Sequence, residues 1–488
     1  MLRKPPPFAR RATAPAVALA VLTAAVLPVG PAQRASAAST TTATTASAAP
    51  GGSTCRAAQD QVFAGVDEQS GDAFYTTDRA AAQSENPSAR GPAVAFLASS
   101  TPRPGSRLVR QMTDPRTGLH AYAMSWRERA ALVAQGFSRA GGVAFHAATA
   151  PAECLAPVHR WVGPQGQHRF AASEDEGERL ASQGWRDAGA AFYAAQDTRF
   201  SIAVLPDTQE EVIGATGRFE QRTRWLVENR DHWDLRYVTH VGDVVNWDTP
   251  DHRQFEVADA AADELDAARI PFSFGIGNHD TRATCPGGSA CPGDVAANQR
   301  DTRTFNAYFP PSRSTAVAGL HEAGKVDNSF HTFEAGGQEW MVLHLELWPR
   351  AGAVDWARSV VAAHPHHNVV VVTHSYLNAD GSIKQDNGGY GSTSPQHLYD
   401  RLVSQYANIR LVFSGHVGTT AHRVDTGVHG NRVDSVLTAY HDRRGNPTRL
   451  VEIDTAEGWF STGVHSPGAG EARSDGSSFT VRDVRWVR

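Results

Sequence analysis

Phe272-Ser273-Phe274-Gly275-Ile276-Gly277-Asn278-His279-Asp280 is the stretch on which the fold turns. A short apolar run gives way to a polar cluster. Such runs, bounded by Gly and Asn, read as buried strands. The same construction recurs four more times. The run at 200–205 is followed by Asp207-Thr208-Gln209, and the run at 237–241 by Gly242-Asp243-Val244-Val245-Asn246. The run at 369–373 leads into His374, and that at 411–413 into Ser414-Gly415-His416. A further apolar run lies at 341–345. Helical stretches over roughly 216–229 and 252–268 separate the first three strands. Alternation of this kind predicts an α/β fold, in which ligands collect beyond the carboxyl ends of the strands.

Five strand ends therefore present Asp207, Asp243, Asn278, His374 and His416. Carboxylate, amide and imidazole are hard or borderline donors. The set suits Fe, Zn or Mn, and the absence of cysteine argues against a thiolate site. Each motif alone is weak, because Gly-Asp is a common turn and a lone His at a strand end is usually structural. Their joint occurrence in order is not.

The set resembles the calcineurin-like metallophosphoesterase superfamily, whose pattern is Asp-x-His, Gly-Asp-x-x-Asp, Gly-Asn-His-Asp or -Glu, a later His, and Gly-His-x-His. The resemblance covers most of residues 200–425. It implies a β-sandwich flanked by helices in α/β/β/α layers, and one or two divalent metal ions. Asp207 and Gln209 would serve the first metal, Asp243 would bridge both, and Asn278, His374 and His416 would complete the second. Two such metals about 3.5–4 Å apart would direct a metal-bound hydroxide at phosphorus. His279 would act as general acid, with Asp280 orienting its imidazole. Asn246 and Tyr376 are the candidate substrate-binding residues. Asn378, Glu346 and the loop 386–394 could share that edge, but a structural role suits each equally well. His364-Pro365-His366-His367 lies at the opposite, amino end of a strand and reads as a turn.

Three positions depart from the pattern. Gln209 stands for a histidine, Asn246 for an aspartate, and Gly418 for the second histidine of the last motif. All three concern the first metal or its surroundings. One firm and one weaker metal site are expected, with His422 the candidate substitute ligand.

Outward from this region the chain is 488 residues long, 41% hydrophobic and 20% charged, with a formal net charge of −5. That composition excludes wholesale disorder and collagen-like repeats. The acidic balance argues against a nucleic-acid coat, which needs clustered positive charge. Residues 1–37 read as a secretory signal peptide: Arg3, Lys4, Arg10 and Arg11, an apolar run over roughly 16–29, then Ala35-Ser36-Ala37. The run is interrupted by Pro28 and shorter than the ~20 residues a membrane span needs. No later segment is apolar enough to span, and an extracellular location is expected. Residues 38–54, rich in Ala, Ser, Thr, Gly and Pro, read as a flexible linker.

Residues 55–197 contain three similar segments. Asp72, His120 and His168 recur at intervals of 48, each two residues before an aromatic, and each segment ends alike in Phe96, Phe145 or Phe192. The expectation is a three-repeat α+β domain whose aromatics share a core. It resembles a repeat module of unknown function found in secreted bacterial proteins. Residues 198–488 form the second domain and hold nearly all of the acidity. The four cysteines allow three pairings. Proximity favours Cys285 with Cys291, leaving Cys55 with Cys154, as export permits.

Two functions compete. One is a secreted phosphoesterase acting on phosphate mono- or diesters, whether small molecules or wall or lipid phosphates. The other is a non-catalytic protein whose repeats bind a surface polymer, the α/β part being a metal-stabilised relic. Metal content and turnover of an aryl phosphate separate them.

Overall fold

The computed structural model describes residues 58–487 except 68, 86–91, 139–141, 153, 215, 315, 390, 442–444, 468–470 and 473–475. The expected signal peptide, linker and Cys55 lie outside the described residues.

The apolar runs pair into two seven-stranded sheets. In the first, Arg199–Leu205 lies between Leu235–His240, its parallel neighbour, and Thr448–Asp454, its antiparallel one; Phe272–Phe274 extends the parallel side. In the second, Gln338–Leu345, His367–Thr373, Ile409–Ser414 and Arg432–Thr438 run parallel side by side. Alternation along each strand assigns its two faces. Ile202, Val204, Val370 and Val372 join Phe200, Trp340, Leu411 and Ile453 in one cluster between the sheets. Ala203 and Leu205 face the other way, onto Phe219 and Leu226 of helix Arg218–Glu228 and Phe255 of helix Arg253–Ala267. Val369 and Val371 likewise meet Val354 and Val361 of helix Ala351–Ala363 and Leu398 of helix Pro395–Arg401. The layers are α/β/β/α, as the resemblance implies.

One polar seam crosses the sandwich. Ser273 Oγ lies 2.8 Å from Tyr237 Oη and 2.6 Å from His344 Nε2, which also meets Thr239 Oγ1 at 3.1 Å. All four are buried, and burial pushes the His344 pKa well below its ordinary value. A neutral imidazole joining the layers leaves no buried charge uncompensated.

Before the sandwich, three successive segments each fold as strand, strand, helix, strand. Their equivalent aromatics form two triangles. Tyr75, Tyr122 and Phe170 have ring centroids 5.0–5.4 Å apart, and Phe96, Phe145 and Phe192 5.3–5.5 Å apart. The tyrosine hydroxyls also serve the backbone. Tyr122 Oη accepts from the Tyr75 amide at 2.7 Å, and Tyr75 Oη from the Phe170 amide at 2.9 Å. The equivalent strands begin at Ala73, His120 and His168, so Asp72 lies one residue before the position of the two histidines rather than at it. It pairs with one of them, His120 Nδ1 bonding Asp72 Oδ2 at 2.6 Å. Burial, reinforced by the nearby Arg160 charge, lowers the His168 pKa to about 4. Cys285 and Cys291 form a disulfide, and Cys154 is also disulfide-bonded.

Candidate metal centre

The parallel strands of both sheets deliver their polar ends to one place. Asp207 follows Arg199–Leu205, Asp243 follows Leu235–His240, His374 follows His367–Thr373, and His416 follows Ile409–Ser414. Asp243 and His416 both have left-handed backbone, with φ of 54° and 76°. Such strain in non-glycine residues is retained where the surroundings enforce it, commonly at functional sites. Glycines make the approach possible. A Cβ on Gly277 would collide with Asp243 Oδ1, and one on Gly415 with Asp207 Oδ1.

Asp243, His374 and His416 each bring a ligand atom within 4.8 Å of the others. His374 Nδ1 donates to the Val241 carbonyl at 3.0 Å, which fixes the tautomer and turns Nε2 toward Asp243 Oδ2, also at 3.0 Å. His416 Nδ1 lies 3.2 Å from His374 Nε2. Three further oxygens at the expected ligand positions are buried without a hydrogen-bond partner: Asp207 Oδ1, Gln209 Oε1 and Asn278 Oδ1. Buried oxygens normally have partners. A set of orphaned oxygens and directed imidazole nitrogens fits divalent cations.

The electrostatics without metal agree. Burial opposes charge on His374, but the charge and hydrogen bond of Asp243, helped by Asp207 and Asp280, outweigh it and push its pKa up to about 9. Asp243 resists burial through His374 and His279 and is held well below the carboxylate range. Burial, then the His374 charge, pushes His416 down to about 3. Burial raises Asp207.

His279 stands at the edge of this group, its Nε2 4.0 Å from Asp243 Oδ2. The expected partnership with Asp280 is not what the structure shows. His279 Nδ1 instead meets the Asn246 carbonyl at 2.5 Å. Asp280 Oδ1 accepts from the Val245 amide at 2.9 Å, and Oδ2 from the Gly277 amide at 2.8 Å. Asp280 thus staples the loop bearing Asp243 to the loop bearing Asn278. Burial and the Asp243 charge push its pKa up to about 7. It is a positioning residue rather than a catalytic one.

The substrate-binding expectations also change. Tyr376 is fully buried in the cluster with Leu377 and Leu398, so it cannot border a substrate. Asn246 is at the site and orients His279 through its backbone carbonyl. Its side chain lies across from Gly288, where an added Cβ would sit 3.8 Å from Asn246 Oδ1 and 3.9 Å from His279 Cε1. The Cys285–Cys291 loop therefore borders the histidine.

Glu346 is buried in ion pairs with Arg300 and Arg350 at 3.3 and 2.9 Å. Asn378 bonds Ser382 Oγ at 3.0 Å. His364 Nδ1 meets the Val360 carbonyl at 2.7 Å, and His367 Nδ1 lies 3.2 Å from Glu339, away from the centre. Among its described residues, the loop 386–394 meets Trp348 at Gly391. A Cβ on Gly391 would lie 2.9 Å from Trp348 Cγ and closer still to its Cβ, and the Trp348 ring centroid is 5.7 Å from that of His416.

His422 is not a substitute ligand. Its Nε2 bonds Asp434 Oδ1 at 2.8 Å and its ring stacks on Phe479 at 3.9 Å. Three other residues escaped the sequence reading. His441 Nε2 lies 3.0 Å from Asp207 Oδ2. His240 is buried; its Nδ1 accepts from the Gly242 amide and its Nε2 meets Thr208 Oγ1, both at 3.0 Å. That tautomer holds the first two loops together. Trp348 packs against His416. The buried Glu211–Arg222 ion pair further anchors the Asp207 loop to helix Arg218–Glu228.

A cleft of about 640 Å³ opens elsewhere, between the first and third segments and the sandwich, lined by Arg169, Glu176, Arg179, Arg236, Glu334 and Glu339 among others. It contains none of the centre's residues.

Comparison with known proteins places these features. Residues 55–195 match a domain of unknown function, DUF5648. A curated relative, the uncharacterized protein YvnB of Bacillus subtilis (strain 168), is 23% identical over 283 residues, which are 55% of this chain and 20% of that protein. The chain thus spans about a fifth of the length of the relative it matches. Among solved structures, a dimetal phosphatase from Danio rerio is 13% identical with a TM-score of 0.38, over 58% of this chain and 98% of that one. GAP50, the anchor in the inner membrane complex of Plasmodium, is 10% identical with a TM-score of 0.36, over 58% and 88%. Residues 200–419 match the calcineurin-like phosphoesterase family. The centre just described lies within that span except for His441.

Proposed function

We propose that the protein is an exported, metal-dependent phosphoesterase hydrolysing phosphate mono- or diesters. The observation that carries this is the convergence of Asp243, His374 and His416 within 4.8 Å, with His279 Nε2 at their edge. When bound, divalent cations supply Lewis-acid stabilisation of phosphoryl oxygens and lower the pKa of water. Asp207, Gln209, Asp243, Asn278, His374 and His416 would hold them. The remaining chemistry belongs to the chain. The Asn246 carbonyl fixes the proton of His279 on Nδ1 in the neutral ring, so Nε2 is the atom that faces the substrate. A proton taken up at Nε2 is then placed to pass to the leaving oxygen. Asp280 keeps the two loops in register while this happens.

Export rests on the basic start, apolar run and small-residue site at the N-terminus. Substrate class is the province of the surrounding loops, the Cys285–Cys291 loop first among them. The test is metal analysis of the purified protein, with paired assays on an aryl phosphate monoester and a bis-aryl diester. Asp243→Ala and His374→Ala should each abolish turnover and reduce bound metal while leaving the fold intact by circular dichroism. Retained activity in either variant, or no metal and no turnover across Mn, Zn, Fe and Co, refutes the proposal and leaves the non-catalytic reading standing.

A further inference from the structure

We propose that His441 is a ligand of the first metal, taking over from the histidine that the last motif lacks; this rests on the phosphoesterase reading above. Gly418 occupies the family's histidine position, and the structure closes that position to any side chain. Gly418 has φ of 67°, and a Cβ there would lie 2.8 Å from Ala379 Cβ. The first-metal side would then be left with Asp207, Gln209 and the shared Asp243, an oxygen-only set poor in affinity for a borderline ion.

His441 supplies the missing nitrogen. It follows strand Arg432–Thr438, which runs parallel to Ile409–Ser414 and so ends at the same sheet edge as His416. The chain there makes two consecutive left-handed residues, Tyr440 at φ 64° and His441 at φ 41°. Neither is glycine, and a bulky aromatic rarely adopts this conformation. The turn is fixed from both sides. The Ala439 amide donates to the Thr419 carbonyl at 3.0 Å, and buried Arg449 donates to Tyr440 Oη at 3.3 Å. Its outcome is that His441 Nε2 comes to 3.0 Å from Asp207 Oδ2, beside the Oδ1 atom that has no hydrogen-bond partner. Asp207 Oδ2 also accepts from the His416 amide at 2.9 Å, so the carboxylate is oriented before any ion arrives. The backbone strain, the closed Gly418 position and the orphaned oxygen are independent, and all three meet at His441.

The experiment is a cobalt(II) titration of the chelator-stripped full-length protein. Bound metal is counted by elemental analysis, and coordination is followed by the visible d–d absorption. Wild type should bind two equivalents. His441→Ala should bind one equivalent at unchanged affinity and the second at least about tenfold more weakly. Its d–d bands should change, and imidazole added to His441→Gly should restore the second equivalent. His422→Ala, whose side chain lies outside the centre, should behave as wild type. Two equivalents of unchanged affinity and spectrum in folded His441→Ala overturn the inference. Wild type binding one equivalent overturns it too, while leaving a one-metal phosphoesterase; wild type binding none overturns both readings.

Discussion

Raising the pH from 7.5 to 9.5 should weaken the metal-free protein, and His374 sets the size of the effect. Its folded pKa is about 9 against an ordinary 6.5. A histidine raised in this way contributes stability that is full below 6.5 and lost as pH rises through 9. A tenfold change in proton affinity is worth about 1.4 kcal/mol, so the contribution falls from ~2 kcal/mol at pH 7.5 to near zero at pH 9.5. The cause is geometric: the imidazolium sits fully buried, 3.0 Å from Asp243 Oδ2, and loses its charge inside the sandwich. Asp207–His441 acts in the same direction, since that histidine is also raised, chiefly by its hydrogen bond to Asp207. Urea denaturation in excess chelator at several pH values reads the loss, and His374→Asn should flatten most of it. Metal binding supplies a second readout. A ligand nitrogen must be unprotonated, so uptake at pH 7.5 should release about one proton from His374 into a weakly buffered dye. A pH-independent urea midpoint over this window, together with metal uptake that releases no proton, would refute the charged pair.

Gly277→Ala should weaken metal binding more than tenfold and cut kcat about a hundredfold, because the new Cβ lies 2.5 Å from the Asp243 amide and collides with its carboxylate; metal content and steady-state rates check this. Reducing Cys285–Cys291 should loosen the loop beside His279 and raise KM severalfold for large esters more than for a small aryl phosphate, read in assays with and without a phosphine reductant. Tyr122→Phe leaves the buried Tyr75 amide without its acceptor and should destabilise the N-terminal segments by roughly 1–3 kcal/mol, measured by thermal denaturation, with no change in kcat.

Alternation of strands and helices was legible in the chain, whereas the layers of the sandwich came only from the resemblance; the structure shows the period-two alternation that builds them. Val369, Val370, Val371 and Val372 face alternately outward and inward, as an apolar run covered on both sides must. Asp207, Asp243, Asn278, His374 and His416 were legible because each sits within a few residues of the strand that delivers it. What failed depended on where neighbouring loops go. Asp280 follows His279 directly in sequence, yet its carboxylate turns to the amides of Val245 and Gly277, while a carbonyl 33 residues earlier takes the imidazole. Tyr376 follows a strand end but points into the helix layer. Adjacency along the chain places a residue near an edge; it does not choose which atom the side chain meets.

His441 marks the boundary between the two cases. No motif contains it, and 234 residues separate it from Asp207. Its segment repeats only in part the construction that revealed the others: Asp434 and Ser435 break the apolar run, and Thr438, Ala439 and Tyr440 stand between Leu437 and the histidine. What sequence lacks is the pairing partner. Once Arg432–Thr438 is known to lie parallel to Ile409–Ser414, its carboxyl end must reach the edge that holds His416. A parallel sheet has only one such edge, so every added parallel strand offers the centre another ligand position. A chain that loses a histidine from one loop can regain the nitrogen from the next strand over. On the proposal above, His441 makes good only the histidine position closed at Gly418, while Gln209 keeps an oxygen donor in the first motif.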